Sequence, residues 1–245
     1  MTFHNVYEDE ERAEAYARLE FPGTYYLAYR DLPAVIAEHV SGRKALDFGC
    51  GAGRSARFLK KLGFSVTGVD ISPEMVRKAR GFDPSGDYRV IGDGDFSLLE
   101  GRTFDLVQSV FTFDNVPTRA QKVRIFSGLC DRLNDGGKIV SLVSSPDVYK
   151  HEWASFTTKD FPSNKTAKTG DRVWTIMTDV EDRRPVEDVI WYDEDYRDVY
   201  REAGLEVVRV YKPLAREDEP FKWVNETRIA PWVIYVLQRT ADFRA

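Results

Sequence analysis

Gly49, Gly51 and Gly53 alternate with other residues just after the acid Asp47 and just before Arg54 and Ser55. Alternating glycines let the backbone take conformations closed to other residues and let a ligand approach the main chain closely. Such a loop holds a nucleotide-like molecule against the carboxyl ends of parallel strands. The spacing narrows the choice of ligand. A dinucleotide fingerprint needs G-x-G-x-x-G, and Arg54 stands where its third glycine belongs. A phosphate-cradling loop ends in Gly-Lys-Ser/Thr, which Gly53-Arg54-Ser55 approaches only superficially. Asp47 repels a pyrophosphate and favours a cation. A second acid, Asp70, ends the next apolar run, where a carboxylate can accept hydrogen bonds from both ribose hydroxyls. Groups able to move a proton are few. Of His4, His39 and His151, only His151 follows the fifth strand on the side where the loop opens, and Asp114 is its rival as a base.

The elements that must position these residues are readable in outline. Lys44–Phe48 is a short apolar strand, followed by a helix over Ser55–Leu62. Phe64–Asp70 is a second strand; Ser72 suits an N-cap and Pro73 the first helical position. Asp87–Gly92 forms a third strand that runs into Asp93-Gly94-Asp95. A fourth spans Arg102–Phe111, and a fifth follows the Gly136-Gly137 turn. Asp171–Met177 and Val186–Tyr192 read as two strands around a charged turn, hence a hairpin. Tyr192–Ala203 is a helix stopped by Gly204, and Leu205–Tyr211 and Pro231–Leu237 are the last strands. Ahead of all this, Glu8–Leu19 is a charged amphipathic helix, Phe21-Pro22-Gly23 breaks it, and a second helix runs from Thr24 to about His39.

Leu46-Asp47-Phe48-Gly49-Cys50-Gly51-Ala52-Gly53 resembles the first motif of the class I S-adenosylmethionine-dependent methyltransferases, and the later segments fall into the same register. The cofactor of that family, S-adenosyl-L-methionine, carries a sulfonium, an ammonium and a carboxylate but no phosphate. The resemblance covers residues 40–145 closely and the rest more loosely. It implies an α/β, Rossmann-like, seven-stranded and mostly parallel sheet with helices on both faces and an antiparallel last strand. To this it adds an N-terminal helical lid and a β-hairpin insertion after strand five. It also implies roles for residues. Asp47, Gly49, Gly51 and Gly53 form the cofactor loop, Asp70 holds the ribose, and Ile71 packs on the adenine. Asp93, with Asp95 as competitor, receives the adenine amino group, and the backbone of Gly94 donates to the ring. Residues from Ser109 to Phe113 face the methionine part and the methyl group, and Arg30 reaches the ligand's carboxylate.

On this reading the 245 residues make one methyltransferase domain. Residues 1–42 form the lid segment, 43–145 the cofactor-binding core, 146–191 a substrate-covering insertion and 192–245 the completion of the sheet. A formal charge of -5 leaves no electrostatic footprint for nucleic acid. Two cysteines, Cys50 and Cys130, give no disulfide framework, and Cys50 is expected to pack inside the loop. No apolar run is long enough for a membrane span, no secretory leader is visible and no metal site is expected, so a cytoplasmic monomer or homodimer is the natural setting. Tyr7, Tyr25, Phe111, Phe113, Trp153, Trp174 and Trp191 lie in segments near the acceptor mouth, and rings suit a planar or apolar small molecule. Tyr25, Phe111, Phe113, Trp174 and Trp191 are the expected substrate contacts. The reaction expected is methyl transfer to an O or N atom of a small molecule, by in-line displacement and with positioning more than general-base catalysis. The alternatives are a methyltransferase of RNA or protein, and a non-catalytic cofactor-binding module. The first is disfavoured because Ser109-Val110-Phe111-Thr112 replaces the amino-methylating motif after strand four.

Overall fold

The computed structural model describes residues 23–241. The expected helix over Glu8–Leu19, together with Tyr7 and His4, lies outside the described residues. The strands are β1 (Lys44–Phe48), β2 (Ser65–Asp70), β3 (Asp87–Val90), β4 (Phe104–Val110), β5 (Leu133–Ser144), β6 (Phe156–Thr157), β7 (Arg172–Met177), β8 (Val186–Val189), β9 (Leu205–Tyr211) and β10 (Trp232–Arg239). The helices are α1 (Thr24–Arg30), α2 (Leu32–His39), α3 (Arg54–Lys61), α4 (Pro73–Phe82), α5 (Arg119–Cys130) and α6 (Asp193–Glu202).

Seven strands form one sheet in the order β3-β2-β1-β4-β5-β10-β9. Neighbours from β3 to β5 pair in parallel, and β10 is antiparallel to both β5 and β9. The strand order reverses between β1 and β4, which opens a crevice at their carboxyl ends. Side-chain alternation divides the core. Ala45, Leu106 and Ile234 face the layer built with Leu27, Leu32, Ile36 and Leu59 of α1–α3. Leu46, Val107 and Val233 face Ile125, Phe126, Tyr196 and Val199 of α5 and α6. Among the described residues no helix is long and apolar enough to cross a membrane.

Two local expectations are corrected. The helix expected from Thr24 to His39 is two helices meeting at Asp31, because Pro33 has no N–H for an unbroken helical ladder and takes a first-turn position instead. The Gly136-Gly137 turn does not precede strand five but lies within it. Leu133 pairs with Phe104 and Lys138 with Leu106, so the residues between bulge outward.

The insertion after β5 packs back on the sheet's carboxyl edge. β7 and β8 pair antiparallel, Val173 opposite Asp188, and β6 adds a short third strand. Buried Glu226 ties the layers together: it accepts the Thr24 hydroxyl at 2.7 Å, the Ala154 N–H at 2.7 Å and the Val224 N–H at 2.8 Å. Trp232 donates its indole N–H to the Thr24 carbonyl at 2.8 Å. These bonds fix α1 across the end of the sheet, beside the insertion.

Candidate active site

The glycine loop is built by backbone hydrogen bonds from its neighbours. The N–H groups of Gly49 and Cys50 both donate to the Val69 carbonyl, at 2.8 and 2.9 Å. The Gly51 N–H donates to the Asp70 carboxylate at 2.8 Å, and the Ser72 N–H to its other oxygen at 2.9 Å. Gly49 has φ +72°, and a Cβ there would sit 2.1 Å from the Thr112 hydroxyl oxygen. Thr112 itself donates to the Phe48 carbonyl at 3.1 Å, so the loops after β1 and β4 touch where only glycine fits.

A cavity of about 360 Å³ opens above this loop, a size suited to a small-molecule or cofactor site. Gly49, Gly51 and Asp70 form its polar wall. Ile71, Met75, Ile91 and Ile125 give it aliphatic lining, and Asp93 and Gly94 also lie on its wall. Ile71 is 41% exposed, an apolar surface facing the open cavity. Burial raises the Asp70 carboxyl above the usual carboxylate range, and the two N–H bonds pull it back. Asp93 shares one oxygen between Gln121 at 2.8 Å and Arg124 at 2.9 Å, while Asp95 turns away to accept the Ser97 N–H.

Asp47 lies beneath the loop rather than on the cavity wall. Its Oδ2 accepts the Ser55 hydroxyl at 2.6 Å, its Oδ1 has no hydrogen-bond partner, and burial pushes its carboxyl up to about 7. Gly53 also stands off the wall; a Cβ there would press on Tyr88 and Ala79 at 3.0 and 3.1 Å. Cys50 is buried in the loop, its thiol pushed well up by burial and by Asp47 and Asp70.

A second cavity of about 40 Å³ adjoins the first, and Phe111 and Asn115 line both. Phe111 holds φ +61°, a strained setting for a bulky residue that costs on the order of 1–3 kcal/mol. Its ring is fixed 4.7 Å from Trp232 and 5.8 Å from Tyr25. Asp114 lines the second cavity and accepts both the N–H and the hydroxyl of Ser144, at 3.0 and 2.8 Å. Opposite it, β8 supplies Asp188, which accepts the Tyr149 hydroxyl at 3.2 Å. Behind them Lys122 is fully buried, donates to the Phe113 carbonyl, and lies 4.9 Å from the Trp191 ring and 5.3 Å from the Tyr196 ring. Burial raises both carboxyls and lowers the Lys122 ammonium.

Several expected contacts are corrected. Arg30 does not line either cavity; its guanidinium pairs with Asp31 at 2.8 Å and Glu219 at 2.6 Å and donates to the Leu214 carbonyl. His151 also lies off both walls, its ring edge-on to Trp153, so Asp114 is the expected base that the fold brings to a cavity. Ser109 is buried with an unpartnered hydroxyl in the sheet, and its strand neighbour Val110 takes the wall position instead. The same parity places Thr175 and Met177 on the wall, while Trp174 points to the other face of β7 and packs 6.3 Å from Phe161. Phe113 stacks 3.9 Å from Phe126 in the core, and Trp191 covers Lys122. Tyr25 and Phe111 remain on the second wall. Phe156, Asp188, Trp232 and Lys122 were missed. Lys122 starts the core-facing series Lys122, Ile125, Phe126, Leu129, and a charge at a position where the period asks for an apolar side chain was the available signal; Asp188, in the half-buried Val186-Glu187-Asp188 run, carried none.

A family model described as a methyltransferase domain matches residues 21–210. The chain belongs to that methyltransferase family. A ubiquinone biosynthesis O-methyltransferase from Xanthomonas oryzae pv. oryzae is 34% identical over 104 residues, which is 41% of this chain and 42% of that protein. One from Xanthomonas campestris pv. campestris is 31% identical over 102 residues, 40% and 41% of the two chains. The match spans about two fifths of the length of these curated relatives. An S-adenosylmethionine-dependent methyltransferase from Clostridium acetobutylicum superposes with a TM-score of 0.62 at 13% identity, covering 96% of this chain and 97% of that one. The CcbJ methyltransferase from Streptomyces caelestis gives 0.65 at 17%, covering 94% and 96%. Fold and family together make this methyltransferase a class I, S-adenosylmethionine-dependent member. The residues present fit that cofactor: a glycine cradle, the cavity-lining carboxylate of Asp70 and the exposed aliphatic face of Ile71.

Proposed function

We propose that this methyltransferase transfers a methyl group from S-adenosyl-L-methionine to an O or N atom of a small molecule. The observation that carries this reading is the pair of adjoining cavities at the carboxyl ends of β1 and β4, sharing Phe111 and Asn115. The larger takes the cofactor, with Asp70 on the ribose, Ile71 against the adenine, and Asp93 and Gly94 beside the ring. The sulfonium makes the methyl group electrophilic, so the protein's part is positioning and exclusion of water. Phe111 and Asn115 hold the boundary at which acceptor and methyl group meet. α1 and the insertion cover the acceptor through Tyr25, Phe156, Thr175 and Met177, and Asp114 and Asp188 are the groups available to take a proton.

The narrow second cavity supports a small acceptor over a macromolecule, and the net charge of -5 supports the same choice against nucleic acid. The names of the Xanthomonas relatives also support small-molecule chemistry. Carboxylates grouped at a cavity beside the cofactor site favour catalysis over a purely binding module. Incubating the protein with a metabolite extract and an isotopically labelled methyl donor, followed by mass spectrometry, tests this. A labelled small molecule is expected; label in protein or RNA alone would reverse the reading.

A further inference from the structure

The second cavity has a charge imbalance. Asp114 and Asp188 both line it, and the cation acting on both is Lys122. Lys122 is held behind the wall, donating to the Phe113 carbonyl under the rings of Trp191 and Tyr196. Among the described residues, two carboxylates against one ammonium leave one negative charge uncompensated, which is costly away from water unless a proton or a cation supplies the balance. Four rings, Tyr25, Phe111, Phe156 and Trp232, share the remaining wall with Thr175, Met177 and other non-aromatic side chains. Tyr25 stands 5.8 Å from Phe111 and 5.1 Å from Phe156, and Trp232 stands 4.7 Å from Phe111 and 5.8 Å from Phe156. Carboxylates attract cations by charge and charge-assisted hydrogen bonds, and ring faces attract them through the quadrupole. A phenolate or carboxylate in the same place would be repelled. With about 40 Å³, the cavity admits a headgroup of on the order of three heavy atoms, not a whole metabolite.

We propose that the methyl acceptor is a basic amine, its ammonium seated between Asp114 and Asp188 against the rings of Tyr25, Phe111, Phe156 and Trp232. This rests on the reading of the larger cavity as the cofactor site. Seated as an ammonium, the nitrogen has no lone pair, so one proton must first pass to a carboxylate of the pair. The freed lone pair forms the N–C bond as the C–S bond of the methyl sulfonium breaks and its electron pair stays on sulfur. The products are a methylated ammonium and a thioether, with the abstracted proton left on the carboxylate until solvent takes it.

The test uses benzylamine and benzyl alcohol, which differ only in whether one heavy atom is nitrogen or oxygen, titrated calorimetrically at pH 7 into protein saturated with S-adenosylhomocysteine. Benzylamine is expected to bind about tenfold more tightly or better. Asp188→Asn, which keeps the shape and leaves only the Tyr149 bond at risk, is expected to cut that preference to about threefold or less. Asp114→Asn should do the same; should it unfold, as a thermal melt would reveal, Asp188→Asn alone decides. Equal or tighter binding of the alcohol, no binding of either probe, or an amine preference that survives the folded variants overturns the proposal. These outcomes are distinct from failure of the underlying reading. If S-adenosylhomocysteine itself does not bind, the cofactor assignment falls and the proposal with it; if it binds and the preference is absent, only the amine assignment falls.

Discussion

Asp70 offers a test in which the ligand's part and the loop's part separate. Its two oxygens accept the Gly51 N–H at 2.8 Å and the Ser72 N–H at 2.9 Å, and it lines the larger cavity. A carboxylate has about four lone-pair sites, so about two remain for ribose hydroxyls. Asp70→Ala removes both services. The ligand part is a hydrogen bond to a charged group, about 1.5–3 kcal/mol, or about 10- to 150-fold in Kd for S-adenosylhomocysteine. The loop part is the exposure of two N–H donors, about 1–3 kcal/mol each, and it appears as lost stability in a thermal melt. Calorimetry with adenosine and 2′,3′-dideoxyadenosine divides the two. Adenosine should lose the full amount on substitution, while the dideoxy compound, with no hydroxyls to offer, should lose little. An unchanged S-adenosylhomocysteine affinity in a folded variant would falsify the ribose assignment. Equal losses for the two nucleosides would show that Asp70 acts through the loop alone.

Gly49→Ala should cost about 2–3 kcal/mol in urea unfolding, from the left-handed backbone and the displaced Thr112 hydroxyl. Gly63→Ala has φ +87° but nothing within 4 Å, so it should cost only about 1 kcal/mol; equal costs would defeat the close-approach argument. Arg30→Met should lower stability by about 1–3 kcal/mol through its bonds to Asp31 and Glu219, and leave S-adenosylhomocysteine affinity within about twofold. The buried acids carry a pH signature. Asp47, Asp114 and Asp188 have folded-state carboxyls raised by burial, so the native state holds protons that the unfolded chain has lost. Their contribution is present at low pH and fades as pH rises, for Asp47 between 3.8 and about 7. Lys122, lowered, has the opposite slope toward alkaline pH. Asp188 is faced by Asp114, Glu187, Tyr149 and Lys122, and Asp188→Asn removes the raised carboxyl. Its Tm relative to the natural chain should therefore rise between about pH 5 and 8; a flat difference would refute the assignment of that slope to Asp188.

What was legible in the sequence, and what was not, follows from how far each signal reaches. The glycine loop and Asp70 were readable because each depends on a strand, a turn and a few neighbouring residues, and the structure closes them with bonds from Val69, Gly51 and Ser72. Ser109 and Trp174 failed by one residue. A strand's period of two sends neighbours to opposite faces, so choosing the right strand with the wrong parity exchanged Ser109 for Val110 and Trp174 for Thr175. Arg30 failed for a longer-range reason: its partner Glu219 lies in the loop between β9 and β10, and no local pattern announces that meeting.

The second cavity shows the same limit and also its remedy. Its wall draws on α1, the turn after β4, the insertion and β10, from Tyr25 to Trp232, so no window of sequence contains it. Ring counting pointed to aromatics in the right segments, yet most buried rings serve packing, as Phe113 does on Phe126. The charges discriminate better. Burying Lys122 or Asp114 opposes folding unless something offsets it, so a chain tolerates a charge on a core-facing position only where a partner or a ligand waits. Lys122 begins an apolar helical stripe and Asp188 shares a strand face with Val186. The first departure is legible in the sequence; the second is not, because Glu187 puts a charge on the other face of the same strand. A charge that breaks the apolar period, as Lys122 does, therefore marks the neighbourhood of the second cavity more specifically than its aromatic residues do.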